Sequence, residues 1–500
     1  MKAKLIIAVL VAGVLALPPL SAVALEPATA RAAADGAIAD SPITSAPAGI
    51  ESPVGTESPA VRSALEPAAV ASTYDAERAM ILQQVNTLRA QNGLPALRLN
   101  TALHEIAQDW SVQQARVSTM SHRPDFTAWY PAGWSRAGEN VAAGYSPSAV
   151  VAAWAGSPGH RANMLSNATD IGIGIAANAS GRLYYTQNFG RYSSAPPVPP
   201  GAISRIAGAD RFATSALIST RSFPAGARTV YVASGADFPD ALSAAALAGA
   251  AGGPLLLVQQ SGVPAVILTE LRRLDPDRIV VAGGTGVVSD AVLATLRTVA
   301  PSVSRVFGSD RYDTARALAR DAYGASGAPV VYLATGDGYA DALAAGPAAA
   351  SVDAPVVLVP GSDENVDDAT LALLDELRTT RVVIVGGTGV VSEGIRLGLA
   401  AAGLTVERIA GADRYTTASL LASRHFPGAT SGYLATGSGF ADALSGGAAA
   451  GALGAPLYTS RPDCVSPPAH AGLRTQDPDT ILLLGGLGSL QPSVAGFYRC

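Results

Sequence analysis

The chain has 500 residues, about three domains' worth at ~150 residues each. With 49% hydrophobic and only 15% charged residues it is rich enough to bury cores, and its 52 glycines and 34 prolines mark many turns. A net charge of −5 excludes a protein that holds nucleic acid by bulk electrostatics. Two cysteines, Cys464 and Cys500, exclude a disulfide-dense scaffold and any cysteine-cluster metal site.

In chain order, Lys2 and Lys4 precede an apolar run from Leu5 to Leu17, and Ala22-Val23-Ala24 fits the small-x-small cleavage rule. This predicts an export signal over residues 1–24 and an extracellular protein. The apolar run falls short of the ~20 residues of a spanning helix, so no membrane attachment is expected after cleavage. Residues 25–73 are Ala, Pro, Ser, Thr, Glu and Gly, too poor in apolar bulk to order themselves, and read as a disordered spacer.

Residues 74–192 hold all four tryptophans (Trp110, Trp129, Trp134 and Trp154) and form one compact domain of mixed α+β character. Apolar spacing predicts a helix from Asp75 to Asn92 and another, capped by Asn100, from Thr101 to about Met120. Helices from Ser146 to Trp154 and after Ser157 follow, then strands over Asp170–Ala176 and Leu183–Phe189. Three segments carry candidate chemistry: MSHRP with His122, AGENVAAG with Glu139 and SPGHRANML with His160. Their separations of 17 and 21 residues put them on different elements, compatible with a shared cleft. Two imidazoles and a carboxylate are a ligand set that could hold zinc with an open position. His104, by contrast, is expected on a solvated helix face.

Together with YYTQNFG at Tyr184–Gly190, these motifs resemble the CAP superfamily of cysteine-rich secretory, antigen 5 and pathogenesis-related 1 proteins. The resemblance implies an α-β-α sandwich with a cleft lined by His122, Glu139 and His160, where some members bind a divalent metal. The second glutamate usual in eukaryotic members is missing from Trp154-Ala155-Gly156-Ser157. Three readings of this domain stay open: a displayed binding module, a secreted hydrolase acting on peptide or peptidoglycan, and a carrier of lipid or small apolar ligands.

A proline-rich hinge over 193–200 leads into a sequence that repeats three times. RIAGADRFAT at Arg205, RVFGSDRYDT at Arg305 and RIAGADRYTT at Arg408 set the period. SGADFPDAL, TGDGYADAL and TGSGFADAL follow, and GGTG, GGTG and GGLG begin at Gly283, Gly386 and Gly485. In the first unit, short apolar strands at 229–233, 255–258 and 279–282 alternate with helices at 241–250, 263–274 and 289–299. That alternation predicts a parallel sheet covered on both faces. The boundaries are read as 201–304, 305–407 and 408–500.

These signatures resemble the type-two cell wall-binding repeats of Gram-positive surface and autolysin proteins. The resemblance implies three Rossmann/Toprim-like α/β units forming a pseudo-trimer whose clefts hold an anionic wall polymer, so that the protein is wall-associated without a covalent anchor. Arg211, Arg311 and Arg414 are the candidate ligand arginines, and Gly283, Gly386 and Gly485 open candidate anion-binding turns. The bland alternative makes Asp210, Asp310 and Asp413 helix caps ion-paired to those arginines, and Asp240, Asp341 and Asp442 caps of the helices that follow them. No shared acid pair for Toprim-type metal catalysis is present in the three units. Two cysteines in an exported chain are expected to bridge, and Cys464 with Cys500 would close the last unit.

Overall fold

A computed structural model describes residues 74–500 together with two short strands upstream, Ala37–Ala39 (β1) and Thr44–Ser45 (β2). The expected export signal lies outside the described residues, as does the rest of the spacer. Segments 37–39 and 44–45 of the expected spacer pair antiparallel with one strand of the domain that follows.

That domain is built on helices α1 (Asp75–Gln91), α2 (Thr101–Val117), α3 (Val150–Gly156) and α4 (Pro158–Met164). Its sheet comprises β3 (Arg98–Leu99), β4 (Trp134–Ala143), β5 (Asp170–Ala177) and β6 (Leu183–Tyr192), in the order β1-β4-β6-β5-β3. Asn100 Oδ1 accepts from the backbone N–H groups of Ala102 and Leu103, satisfying two of the donors that a helix start leaves open. Strand alternation then sorts β5. Ile171, Ile173 and Ile175 join Ile81, Val85 and Trp154 in the core under α1, α3 and α4. Gly172 and Gly174 face α2, and a Cβ at either would come within 2.2 Å of a carbonyl of Leu103 or Ala107. The absence of side chains there is what lets α2 lie on the sheet. The result is an α-β-α sandwich. The long strand β4, which carries Glu139, had no counterpart among the predicted elements.

The repeats form three four-stranded sheets, all parallel. In the first, Ser302–Val306, Arg278–Ala282, Thr229–Ser234 and Leu255–Val258 lie in that order. The strand that opens the second repeat by sequence therefore completes the sheet of the first. Likewise Thr405–Ile409 completes the second sheet, and Ala202–Ile206 crosses back to pair with Thr480–Leu484 of the third. Each sequence unit thus lends its first strand to a neighbour, and the lending closes in a ring.

Three small-residue helices, Pro239–Ala250, Ala345–Ala350 and Ala441–Ala452, pack together between the sheets. A Cβ on Gly451 would lie 2.8 Å from that of Ala350, so only glycine and alanine allow this approach. One hydrophobic core runs without a break through all three repeats. In the third unit the strand Leu457–Ser460 reads LYTS where its counterparts read LLLV and VVLV, yet it pairs as they do, and Tyr458 sends its hydroxyl to Gln476.

The C-terminal tail is fastened by the Cys464–Cys500 disulfide, as expected. Beside it, Tyr498 Oη accepts from Asn100 Nδ2 at 3.1 Å, and Arg205 meets Glu105 of α2, so the two halves of the protein touch.

Candidate functional sites

In the N-terminal domain, β4 and the loop after α2 bring two of the three expected residues together. His122 Nδ1 lies 2.8 Å from Glu139 Oε1, and the Arg123 backbone N–H donates to the same oxygen at 3.0 Å. Asn188 Nδ2 of β6 donates to Oε2 at 3.3 Å. The Glu139 side chain is fully buried, whereas His122 is 24% exposed. His160 sits in the first turns of α4, wholly buried, with Nδ1 at 2.7 Å from Ser157 Oγ. Asn163 of the same helix donates to the Glu139 carbonyl and to Asn140 Oδ1. The chemistry is thus a buried carboxylate saturated by an imidazole, an amide and a backbone donor.

Both Glu139 oxygens are engaged within the protein, and among the described residues no group of three His, Cys, Asp or Glu side chains is placed to hold a metal. His104 is half-buried on α2; its Nδ1 is shut off from solvent with no hydrogen-bond partner, and burial lowers its pKa.

In the repeats the cap half of the bland alternative holds and the ion-pair half does not. Asp210, Asp310 and Asp413 accept from the backbone N–H groups of Ala213, Asp313 and Thr416 at 2.7–2.8 Å. Arg211, Arg311 and Arg414 instead donate to the carbonyls of Gly235, Gly336 and Gly437 at 2.5, 2.7 and 2.6 Å. Two of these guanidiniums cross a junction between repeats. Arg311 lies 5.7 Å from the ring centre of Phe238 in the first repeat, and Arg211 the same distance from that of Phe440 in the third. Phe238, Tyr339 and Phe440 in turn touch one another, with ring centres 5.4–6.1 Å apart. These half-buried aromatics went unnoticed in the sequence, although all three occupy the same place in SGADFPDAL, TGDGYADAL and TGSGFADAL.

Asp240, Asp341 and Asp442 do not cap their helices. Their carboxylates lie against the first glycine of each GG turn; a Cβ on Gly283, Gly386 or Gly485 would come 2.6, 3.3 or 2.2 Å from the carboxylate. With φ of +107°, +106° and +96°, these glycines answer to backbone conformation and close approach. Arg305 and Arg408 grip the carbonyls of the first two turns from behind. The three glycines thus meet a conformational and packing requirement of the fold. Burial, with Asp237 nearby, pushes Asp240 up to about 6 despite the pull of Arg311, and burial likewise raises Asp442.

Residues 205–293, 305–396 and 408–495 match the family Cell wall binding domain 2 (CWB2), and residues 82–189 match the Cysteine-rich secretory protein family. The chain therefore belongs to the cell wall binding domain 2 family, with a CAP domain ahead of its three repeats. N-acetylmuramoyl-L-alanine amidase LytC of Bacillus subtilis (strain 168) is 26% identical over 294 residues, 59% of this chain and 57% of that protein. Cwp8 from Clostridium difficile superposes with a TM-score of 0.53 at 25% identity, covering 59% of this chain and 51% of the other. Cwp6 from the same organism gives 0.55 at 23% identity over 60% and 48%. The chain thus spans about half the length of each of these relatives.

Proposed function

We propose that this is an exported, cell wall-associated protein in which the triple repeat binds an anionic wall polymer without a covalent bond and so displays the CAP domain at the wall. The observation that carries the reading is the ring of strand exchange, read with the family match. A ring makes the three units one pseudo-trimeric scaffold. Arg211 and Arg311 stand at its junctions beside aromatic rings, near the carboxylates of Asp442 and Asp240. Guanidinium groups already oriented by a carbonyl and still rich in free N–H donors suit phosphate or carboxylate groups of a polymer. Weak sites on one scaffold engage one chain at high effective concentration.

The CAP domain is read as a binding module. Glu139, held by three donors, orients His122 and shapes the site in place of serving as a base or metal ligand. No described helix is long and apolar enough to cross a membrane, so the repeats carry the attachment in this reading.

The test is sedimentation of the full chain with cell walls. Binding falls with added salt, because exposed charge contacts are screened, and falls after chemical removal of the anionic polymer. Arg211→Ala, Arg311→Ala and Arg414→Ala combined weaken it at least ~10-fold in a variant whose circular dichroism shows it folded, at ~1.5–3 kcal/mol for each charge-assisted contact. Undiminished binding by the triple variant removes the arginines from the site, and binding to stripped walls overturns the polymer reading.

A further inference from the structure

Within the CAP sheet β4 is an edge strand. It pairs with β6 on one side only, and its other side is taken by the chain's own upstream segment. The register is antiparallel: Ala37, Ile38 and Ala39 stand opposite Ala143, Ala142 and Val141, and Thr44 and Ser45 opposite Ala137 and Arg136. Between the two paired runs lie residues 138–140 of β4, Gly138, Glu139 and Asn140. The covered edge therefore runs past the residue that holds His122.

Edge strands expose a row of unpaired N–H and C=O groups, and proteins blunt them with proline, lysine or early termination. The ten residues of β4, WSRAGENVAA, contain neither proline nor lysine. This edge is open to strand addition, the mode in which main-chain hydrogen bonds supply affinity for an extended peptide. The resident strand is short, three residues and two, and 28 residues separate Ser45 from Tyr74. With only five paired residues the resident strands hold few ladder bonds, which describes an occupant that can be exchanged.

We propose that the outer edge of β4 is a peptide-docking groove, that the CAP domain takes an extended peptide there by strand addition beside the His122–Glu139 pair, and that strands Ala37–Ala39 and Thr44–Ser45 are its resident occupants in cis. The ligand class is an extended peptide recognised through its main chain. This inference does not depend on the wall-binding reading, which concerns the repeats.

The experiment uses the full chain and a fluorescent synthetic peptide of sequence Gly36–Ala46 added in trans. Ile38→Pro with Thr44→Pro in the protein removes ladder donors from the resident strand without touching the CAP core. The double variant is expected to bind the peptide at least tenfold more tightly than the wild-type chain, and amide exchange along Ala137–Ala143 to speed up in the variant and slow again on adding peptide. A peptide carrying the same two prolines does not bind. Equal binding by both chains, or binding by neither, overturns the proposal. Wall sedimentation measured on the same double variant stays at the wild-type level, which separates this result from the fate of the repeats' function.

Discussion

The guanidinium of Arg205 meets the carboxylate of Glu105 at 2.7 Å, joining the first strand of the repeats to helix α2 of the CAP domain. The corresponding arginines of the other units, Arg305 and Arg408, approach an acid seven residues after the turn glycine, Asp290 and Glu393. In the third turn that position is Pro492. Arg205 grips the carbonyls of Gly485 and Gly486 as its counterparts grip theirs, and takes its acid from the CAP domain instead.

Glu105→Ala is therefore expected to uncouple the two halves. Both side chains are largely buried, 11% and 19% exposed, and an orphaned partner costs about 1–3 kcal/mol. Calorimetry of the full chain should show one transition becoming two. Asp290→Ala, which removes an acid 77% exposed, should shift stability by less than ~1 kcal/mol.

The disulfide links residues 36 apart. Loop entropy assigns such a bridge about 3–4 kcal/mol. Cys464→Ser with Cys500→Ser should lower the denaturation midpoint accordingly, and intact mass under non-reducing conditions should show no free thiol in the wild type.

His104 makes the CAP domain sensitive to acid. Burial first, then the charge of Arg78, holds its pKa below 6.5, against weaker opposite pulls from Glu105, the Ile173 backbone and Asp75. The unfolded chain binds a proton below pH ~6.5 that the folded ring resists, so this contribution is complete above that pH and is lost as pH falls. Between pH 7.5 and 5 the stability of the wild type should drop relative to His104→Gln by at most ~1.4 kcal/mol per pH unit. Asp240, raised to about 6 in the fold, pulls the other way, and His425 and His470 are also lowered, but all three are shared by both chains and cancel in the difference.

Glu139→Ala leaves the Arg123 N–H and Asn188 amide without their acceptor inside the sandwich. A loss of about 3 kcal/mol is expected in chemical denaturation, and Glu139→Gln should recover part of it. Zinc added to the wild type should not raise the melting temperature. A zinc-dependent rise abolished by His122→Ala with His160→Ala would reverse the assignment of Glu139 as an orienting group.

Much of this protein was legible from local pattern. The Asn100 cap, the apolar stripe of α1, the alternating strands and helices of each repeat, the His122 and Glu139 motifs and the disulfide all rest on short-range signals or chemistry that neighbouring residues express themselves. Strand β4 was missed because WSRAGENVAA shows no clean alternation: from Ala137 onward it is buried on both faces, so no solvent-facing period is left in its sequence. Which sheet a repeat's first strand joins was likewise undecided, since Ala202–Ile206 has the same hydrophobic character whether it pairs at home or with Thr480–Leu484 some 280 residues away. The acid of Arg205 could not be read from its own repeat, because Pro492 stands in the local position and Glu105 arrives from another domain. Composition and periodicity set what each segment becomes; the open edges and unpaired charges that remain are satisfied by whatever the folded chain brings within hydrogen-bonding distance, and only the tertiary structure decides that.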